Sequence, residues 1–152
     1  MPSPLPWQSG LAPGAELPAG FLLRPALEVA RGLLGYRLVS TIGGRRTSGV
    51  IVETEAYDGP NDPASHAATL RGPTKRNAVM FGPAGFSYVY RIYGMHWCMN
   101  VVTGPEGDAG AVLLRGLHAM EGQEVMKQRR GCEPLSTGPG RLCEALGITG
   151  EL

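Results

Sequence analysis

An α+β domain is what the sequence predicts, and three observations predict it. The run from Phe86 to Val102 holds β-forming residues on both sides of a Tyr93-Gly94-Met95 break, the pattern of a hairpin. A second pair of β-rich runs, Tyr36 to Ile42 and Thr47 to Tyr57, flanks the turn signal Gly43-Gly44. Short helical patterns lie outside these runs rather than alternating with them. At 152 residues the chain supports one domain with a modest core.

Taken in order, residues 1–20 carry Pro2, Pro4, Pro6, Pro13 and Pro18 among Gly, Ala and Ser, which suits a disordered tail and leaves 21–152 as the domain. Pro25 to Gly35 places proline at a first turn, apolar residues near helical spacing and glycine at the stop, so a short helix is expected. After the Tyr36–Tyr57 hairpin, Asp58 to Gly85 reads as a loop punctuated by Gly59-Pro60, Asp62-Pro63, Gly72-Pro73 and Gly82-Pro83. A loop of that length in a small domain is usually functional. Beyond the organising hairpin, Ala111 to Arg115 reads as a buried strand ending in a charge. Glu121 to Arg130 reads as a helix with its acids leading and its bases trailing, and Pro139 to Leu146 as a last helix closed by Gly147.

Composition excludes several classes. Charged residues are 18% and the net charge is +1, so no basic stripe announces nucleic acid. Cys98, Cys132 and Cys143 are odd in number and lack a C-x-x-C pair, which argues against a disulfide framework and a zinc site. No apolar run approaches the roughly 18 residues of a membrane span, and no signal peptide is seen, so a soluble protein of a reducing cytoplasm is expected. There is no phosphate-binding glycine loop, no zinc deaminase pattern and no G-x-S-x-G elbow, and Lys75 and Lys127 are the only lysines. Water is therefore the expected nucleophile.

Five of the chain's ten aromatic residues, Phe86, Tyr88, Tyr90, Tyr93 and Trp97, fall in the organising hairpin. Phe86, Tyr88 and Trp97 are expected to fill a core, as aromatics suit half-buried pleated surfaces. Tyr93, at the tip, is either a solvated turn residue or a wedge aimed at a partner. On Val50 to Tyr57, alternation sends Ile51, Glu53, Glu55 and Tyr57 to one face and Val50, Val52 and Thr54 to the other. Glu53 and Glu55 are then either ordinary exposed charges or, beside a long loop carrying His66, a pocket wall in which a glutamate acts as general base. Arg71, Lys75 and Arg76 form the densest basic group and are either a solvated loop or phosphate contacts. His96 and His118 are expected to be structural.

Several of these blocks, in this order, carry a resemblance: Val52-Glu53-Thr54-Glu55-Ala56-Tyr57; His66 with Thr74, Arg76, Asn77 and Met80-Phe81; Tyr88-Val89-Tyr90 to Tyr93-Gly94-Met95; Cys98-Met99-Asn100; Val112-Leu113-Leu114-Arg115; and Gly138-Pro139 with Leu142. Over about residues 26 to 149 the chain resembles the 3-methyladenine (alkyladenine) DNA glycosylase family. The resemblance implies a single mixed domain around an antiparallel sheet, with a protruding hairpin that enters the minor groove. It implies excision of flipped alkylated or deaminated purines from double-stranded DNA by a monofunctional enzyme that leaves an abasic site and needs no cofactor or metal.

By the same resemblance Glu55 activates water and Arg115 helps to hold it. Tyr57, His66 and Tyr90 enclose the flipped base, a task suited to π faces. Asn100 discriminates against an exocyclic amine, and Leu113 belongs to the pocket wall. Tyr93 intercalates with Met95 beside it. His96 stands where some members carry an aromatic residue. Members continue past the region matching Gly147-Ile148-Thr149, so this sequence is expected to be a fragment or a shortened domain. A monomer of the bacterial cytoplasm, associated with the nucleoid, is expected. Two alternatives stand beside this reading: a module that binds damaged bases without hydrolysing them, and a sugar hydrolase using Glu53 and Glu55 as its acid pair.

Overall fold

In the computed structural model, residues 16–66 and 73–152 are described. Five strands form one antiparallel sheet: β1 (Arg37–Ser40), β2 (Thr47–Tyr57), β3 (Ser87–Ile92), β4 (His96–Thr103) and β5 (Gly110–Ala119), in the order β1-β2-β5-β4-β3. Three helices accompany it: α1 (Ala26–Leu33), α2 (Gln123–Arg130) and α3 (Pro139–Leu146). The fold is thus the expected mixed α+β domain, and both expected hairpins are present as the β1–β2 and β3–β4 pairs. Among the described residues no helix is long and apolar enough to cross a membrane.

The two faces of the sheet bury different things. On one face Val29 and Leu33 of α1 and Leu142 and Leu146 of α3 pack with Ile51, Val112 and Leu114 into the main core. On the other, a smaller cluster of Met80, Tyr88, Val102, Ala109 and Ala111 lies with Phe81 and Tyr90 packed against it. The sequence of β5 explains why it is central: Ala111 to Leu114 are all buried, as a strand covered on both faces requires.

Details depart from the sequence reading for identifiable reasons. β5 runs on through Arg115 to Ala119, because pairing with β2 continues past the charged residue. α2 starts at Gln123 rather than Glu121. Gly122 has φ +77°, and a Cβ there would lie 2.4 Å from the Arg46 carbonyl oxygen, while Glu121 is bound by Arg46 Nε at 2.9 Å. Phe86 precedes β3 and is 60% exposed, so it does not fill a core. The loop after β2 contains a 3₁₀ turn, Ala78–Phe81, that inserts Met80 into the smaller cluster. Leu17 packs against the main core, and residues 1–15 of the expected tail lie outside the described residues.

Strict alternation fails in β2. The β2–β5 register shifts on both sides of Glu53, so Ile51 pairs with Leu117, Glu53 with Gly116 and Thr54 with Leu114. Ile51 therefore lies in the helix-side core rather than with the glutamates, and the Thr54 hydroxyl donates to the Ala30 carbonyl of α1 at 2.8 Å.

At the β3–β4 tip, Met95 N–H donates to the Ile92 carbonyl at 3.1 Å across a turn in which Tyr93 has φ 49° and Gly94 φ 67°. Two left-handed residues make the mirror-image turn that matches strand twist. Glycine does this freely; a tyrosine does so at a cost of order 1 kcal/mol. Tyr93 is 90% exposed, so nothing buried compensates it.

Candidate active site

β-Pairing builds the site. Tyr88 on β3 is opposite Asn100 on β4, Asn100 is opposite Leu113 on β5, and Leu113 is opposite Glu55 on β2. Residues directly opposite share a face, so these four side chains form one row across the sheet, on the side away from α1 and α3. Tyr90 and Tyr57 follow at two-residue spacing on their own strands, on the same face.

A cavity on this face is lined by Tyr57, His66, Met80, Tyr88, Tyr90 and Asn100. The His66 ring packs on Tyr90 at 4.4 Å between centroids, its Nδ1 is 3.0 Å from the Tyr88 hydroxyl, and Tyr88 and Tyr90 are 5.5 Å apart. The buried Asn100 amide donates to the Tyr88 carbonyl at 3.2 Å, which fixes its orientation. Asn77 holds the His66 segment by donating to its carbonyl at 2.9 Å. At the cavity's edge the Tyr57 hydroxyl donates to Glu55 Oε1, Arg115 Nη1 donates to Glu55 Oε2 at 2.9 Å, and Arg115 Nε donates to Glu53 Oε1 at 3.0 Å. The backbone of Arg115 is itself pinned, its carbonyl accepting from Gly138 N–H at 2.8 Å just ahead of α3.

Residues 20–152 match the model of one protein family, described as Methylpurine-DNA glycosylase (MPG). The chain belongs to the methylpurine-DNA glycosylase family. Three similar proteins each carry the name "Putative 3-methyladenine DNA glycosylase". The one from Granulibacter bethesdensis is 55% identical over 136 residues, covering 88% of this chain and 61% of the relative. Those from Agrobacterium fabrum and Methanoculleus marisnigri are 51% and 55% identical, covering 90% of this chain in both cases and 67% and 70% of the relatives. The chain thus spans between 61% and 70% of the length of these three curated relatives.

Within this methylpurine-DNA glycosylase-family domain, the expected site residues divide into three groups. Glu55, Tyr57, His66, Tyr90, Asn100 and Arg115 come together, and Leu113 is buried between Glu55 and Asn100 in the row without lining the cavity. Tyr93 and Met95 stand at the exposed hairpin tip, 90% and 67% exposed, and line no part of the cavity. Of the basic loop residues, Arg71 lies outside the described residues and Lys75 is exposed. Arg76 turns toward the aromatic cluster, its guanidinium carbon 5.9 Å from the Tyr90 ring centroid. The reading of Tyr88 as core filler misses its hydroxyl at His66; its spacing of two from Tyr90 is the signal that could have found it. Met80 comes from a loop segment with no periodicity to mark it.

The electrostatics follow from this packing. Burial first, then the hydrogen bond to Glu55, holds the Tyr57 phenol protonated well above its ordinary range. Burial and the neighbouring Cys98 push Tyr90 up to about 12. The hydrogen bond to Glu53 is the main cause that raises Arg115 further, so its guanidinium stays charged. His66 is lowered from 6.5, chiefly by burial and then by Arg76.

A neutral His66 has a consequence for stability. Its folded pKa is below its unfolded one, so the unfolded chain binds more protons at mildly acidic pH; the stabilisation is complete above 6.5 and is lost as pH falls through the lowered folded value. The thermal unfolding midpoint is therefore expected to fall on acidification below 6.5, and His66→Gln to flatten that slope. Parallel slopes in the two proteins would show that His66 is not its source.

Proposed function

We propose that this protein is a DNA-repair glycosylase that flips damaged purines out of the duplex and hydrolyses the N-glycosidic bond. Its substrates are alkylated or deaminated purines of the 3-methyladenine, hypoxanthine and ethenoadenine type, and its product is an abasic site. The observation that carries this reading is a glutamate, Glu55, set by Tyr57 and Arg115 at the edge of a cavity lined by three tyrosines and a histidine. π Faces accept any unstacked base, and a carboxylate beside them can activate water.

The chemistry uses few groups. Each Glu55 oxygen accepts one bond in the structure, and a carboxylate oxygen has two lone pairs, so a water can still donate to it. In the step, water oxygen bonds to C1′ as its proton passes to Glu55. The C1′–N bond breaks, and its electron pair leaves with the purine. A purine made cationic by alkylation at N3 or N7 leaves as a neutral base, whereas hypoxanthine and ethenoadenine need a proton from solvent. Glu53, Glu55 and Arg115 carry a net charge of −1 together, which stabilises the positive charge that develops on the sugar. Among the described residues no lysine lines the cavity, and Lys127 is paired with Glu124, which supports water rather than an amine as nucleophile.

Tyr93, exposed on a left-handed turn, suits insertion into the stack at the place the base vacates. Tyr93→Ala is expected to weaken binding of lesion-containing duplex by about 1–3 kcal/mol, read by fluorescence anisotropy. An unchanged Kd counts against intercalation. The function itself is tested by incubating the protein with duplex oligonucleotides holding hypoxanthine or ethenoadenine and measuring free base and alkali-labile sites. Release of base with an intact strand supports the reading; tight binding without release makes the protein a damaged-base-binding module instead.

A further inference from the structure

Arg115 reaches two carboxylates through different nitrogens, Nε to Glu53 Oε1 at 3.0 Å and Nη1 to Glu55 Oε2 at 2.9 Å. An arginine with one carboxylate partner tends to close a two-pronged fork on it, occupying both oxygens and cancelling its charge. Here the Glu53 bond takes the Nε edge, so that only Nη1 meets Glu55 and the second Glu55 oxygen is left to Tyr57. Where the β2–β5 register shifts, Glu53 pairs with Gly116, the chain neighbour of Arg115.

We infer that Glu53 is a positioning residue for Glu55: it anchors the Arg115 guanidinium and shares its charge, so that Arg115 orients the Glu55 carboxylate without neutralising it. This rests on the reading of Glu55 as general base. Without Glu53 the Arg115–Glu55 pair would be electrically neutral, and a carboxylate facing an undivided guanidinium is a weaker acceptor for water's proton. The other ionisable groups around the pair are Tyr57 on β2, Tyr90 on β3 and Cys98 on β4, with His66 and Arg76 across the aromatic cluster. Burial raises Tyr57, Tyr90 and Cys98, which keeps them protonated through the acid range, and His66 is lowered from 6.5 by burial and then by Arg76.

The test is a carboxyl ¹³C NMR titration of Glu55 in the wild-type protein and in Glu53→Gln, run beside a pH profile of single-turnover excision. Glutamine keeps an acceptor for Arg115 Nε and removes only the charge; Glu53 is partly exposed, so the variant retains its fold. The Glu55 signal is expected to titrate at lower pH in Glu53→Gln than in the wild type, because a like charge beside it is gone. The acid limb of the excision profile should move with it, and the plateau rate should fall several-fold with no change in Kd for lesion duplex. Glu53→Ala, which also removes the acceptor, is expected to lose more rate than Glu53→Gln. An unmoved midpoint, or a rate loss matched by a rise in Kd, overturns the inference. A midpoint shifted in Glu53→Gln, with a wild-type protein that releases no base, overturns the glycosylase reading and leaves the charge sharing standing.

Discussion

Glu55→Gln is expected to lower single-turnover base release by about 10²–10⁴-fold, the usual worth of a positioned general base. Gln presents the same shape, and its carbonyl oxygen still accepts from Arg115 or Tyr57, so the wild-type bond from Arg115 Nη1 at 2.9 Å has a close substitute. Lesion-duplex affinity should therefore stay near the wild-type value, since the cavity walls Tyr57, His66 and Tyr90 are untouched. The pair of measurements separates roles: loss of rate at constant Kd marks a group needed in the transition state. Retained excision in this variant would remove Glu55 from the chemistry. Equal losses of rate and affinity would make it a binding group.

The largest effect on stability is expected at Leu114, one strand position from Leu113 and on the opposite face. Leu114 is 1% exposed on the central strand, and belongs to the main core beneath the helices. Leu114→Ala removes its buried methyl groups where two neighbouring strands hold the backbone and limit collapse, so a loss of about 2–5 kcal/mol is expected. For a domain of this size each kcal/mol lowers Tm by about 2–4 °C, readable by calorimetry. A loss well under 1 kcal/mol would mean that this core is loosely packed. Because Leu113 faces Glu55 and Asn100 while Leu114 faces the helices, Leu113→Ala perturbs the site row and Leu114→Ala the scaffold.

The parts legible in the sequence are those governed by near neighbours. Gly43-Gly44 and Tyr93-Gly94 announce their turns because positive φ is a local demand, and β3–β4 pairs as the flanking residues indicate. Pro139 and Gly147 bracket the last helix for the same reason: one fits a first turn without its N–H, the other ends a helix in the left-handed region at φ 74°. The phase of β2 was not legible. Alternation assigns Ile51 to the glutamate face, and only the irregular pairing with β5 around Glu53 moves it into the helix-side core.

By itself, then, the sequence determined the hairpins, the ends of the last helix, a tyrosine raised on an exposed turn and the stock of carboxylate and aromatic groups, since each follows from forces acting over a few residues. Tertiary structure decided which of them meet. Glu55 and Arg115 are 60 positions apart and His66 and Tyr88 are 22 apart, and each pair is joined by sheet register and loop packing. It also turned Arg76 toward Tyr90 and gave Arg115 two carboxylates to bind. Such contacts depend on burial and hydrogen bonding summed over the whole domain, and no local pattern encodes that sum.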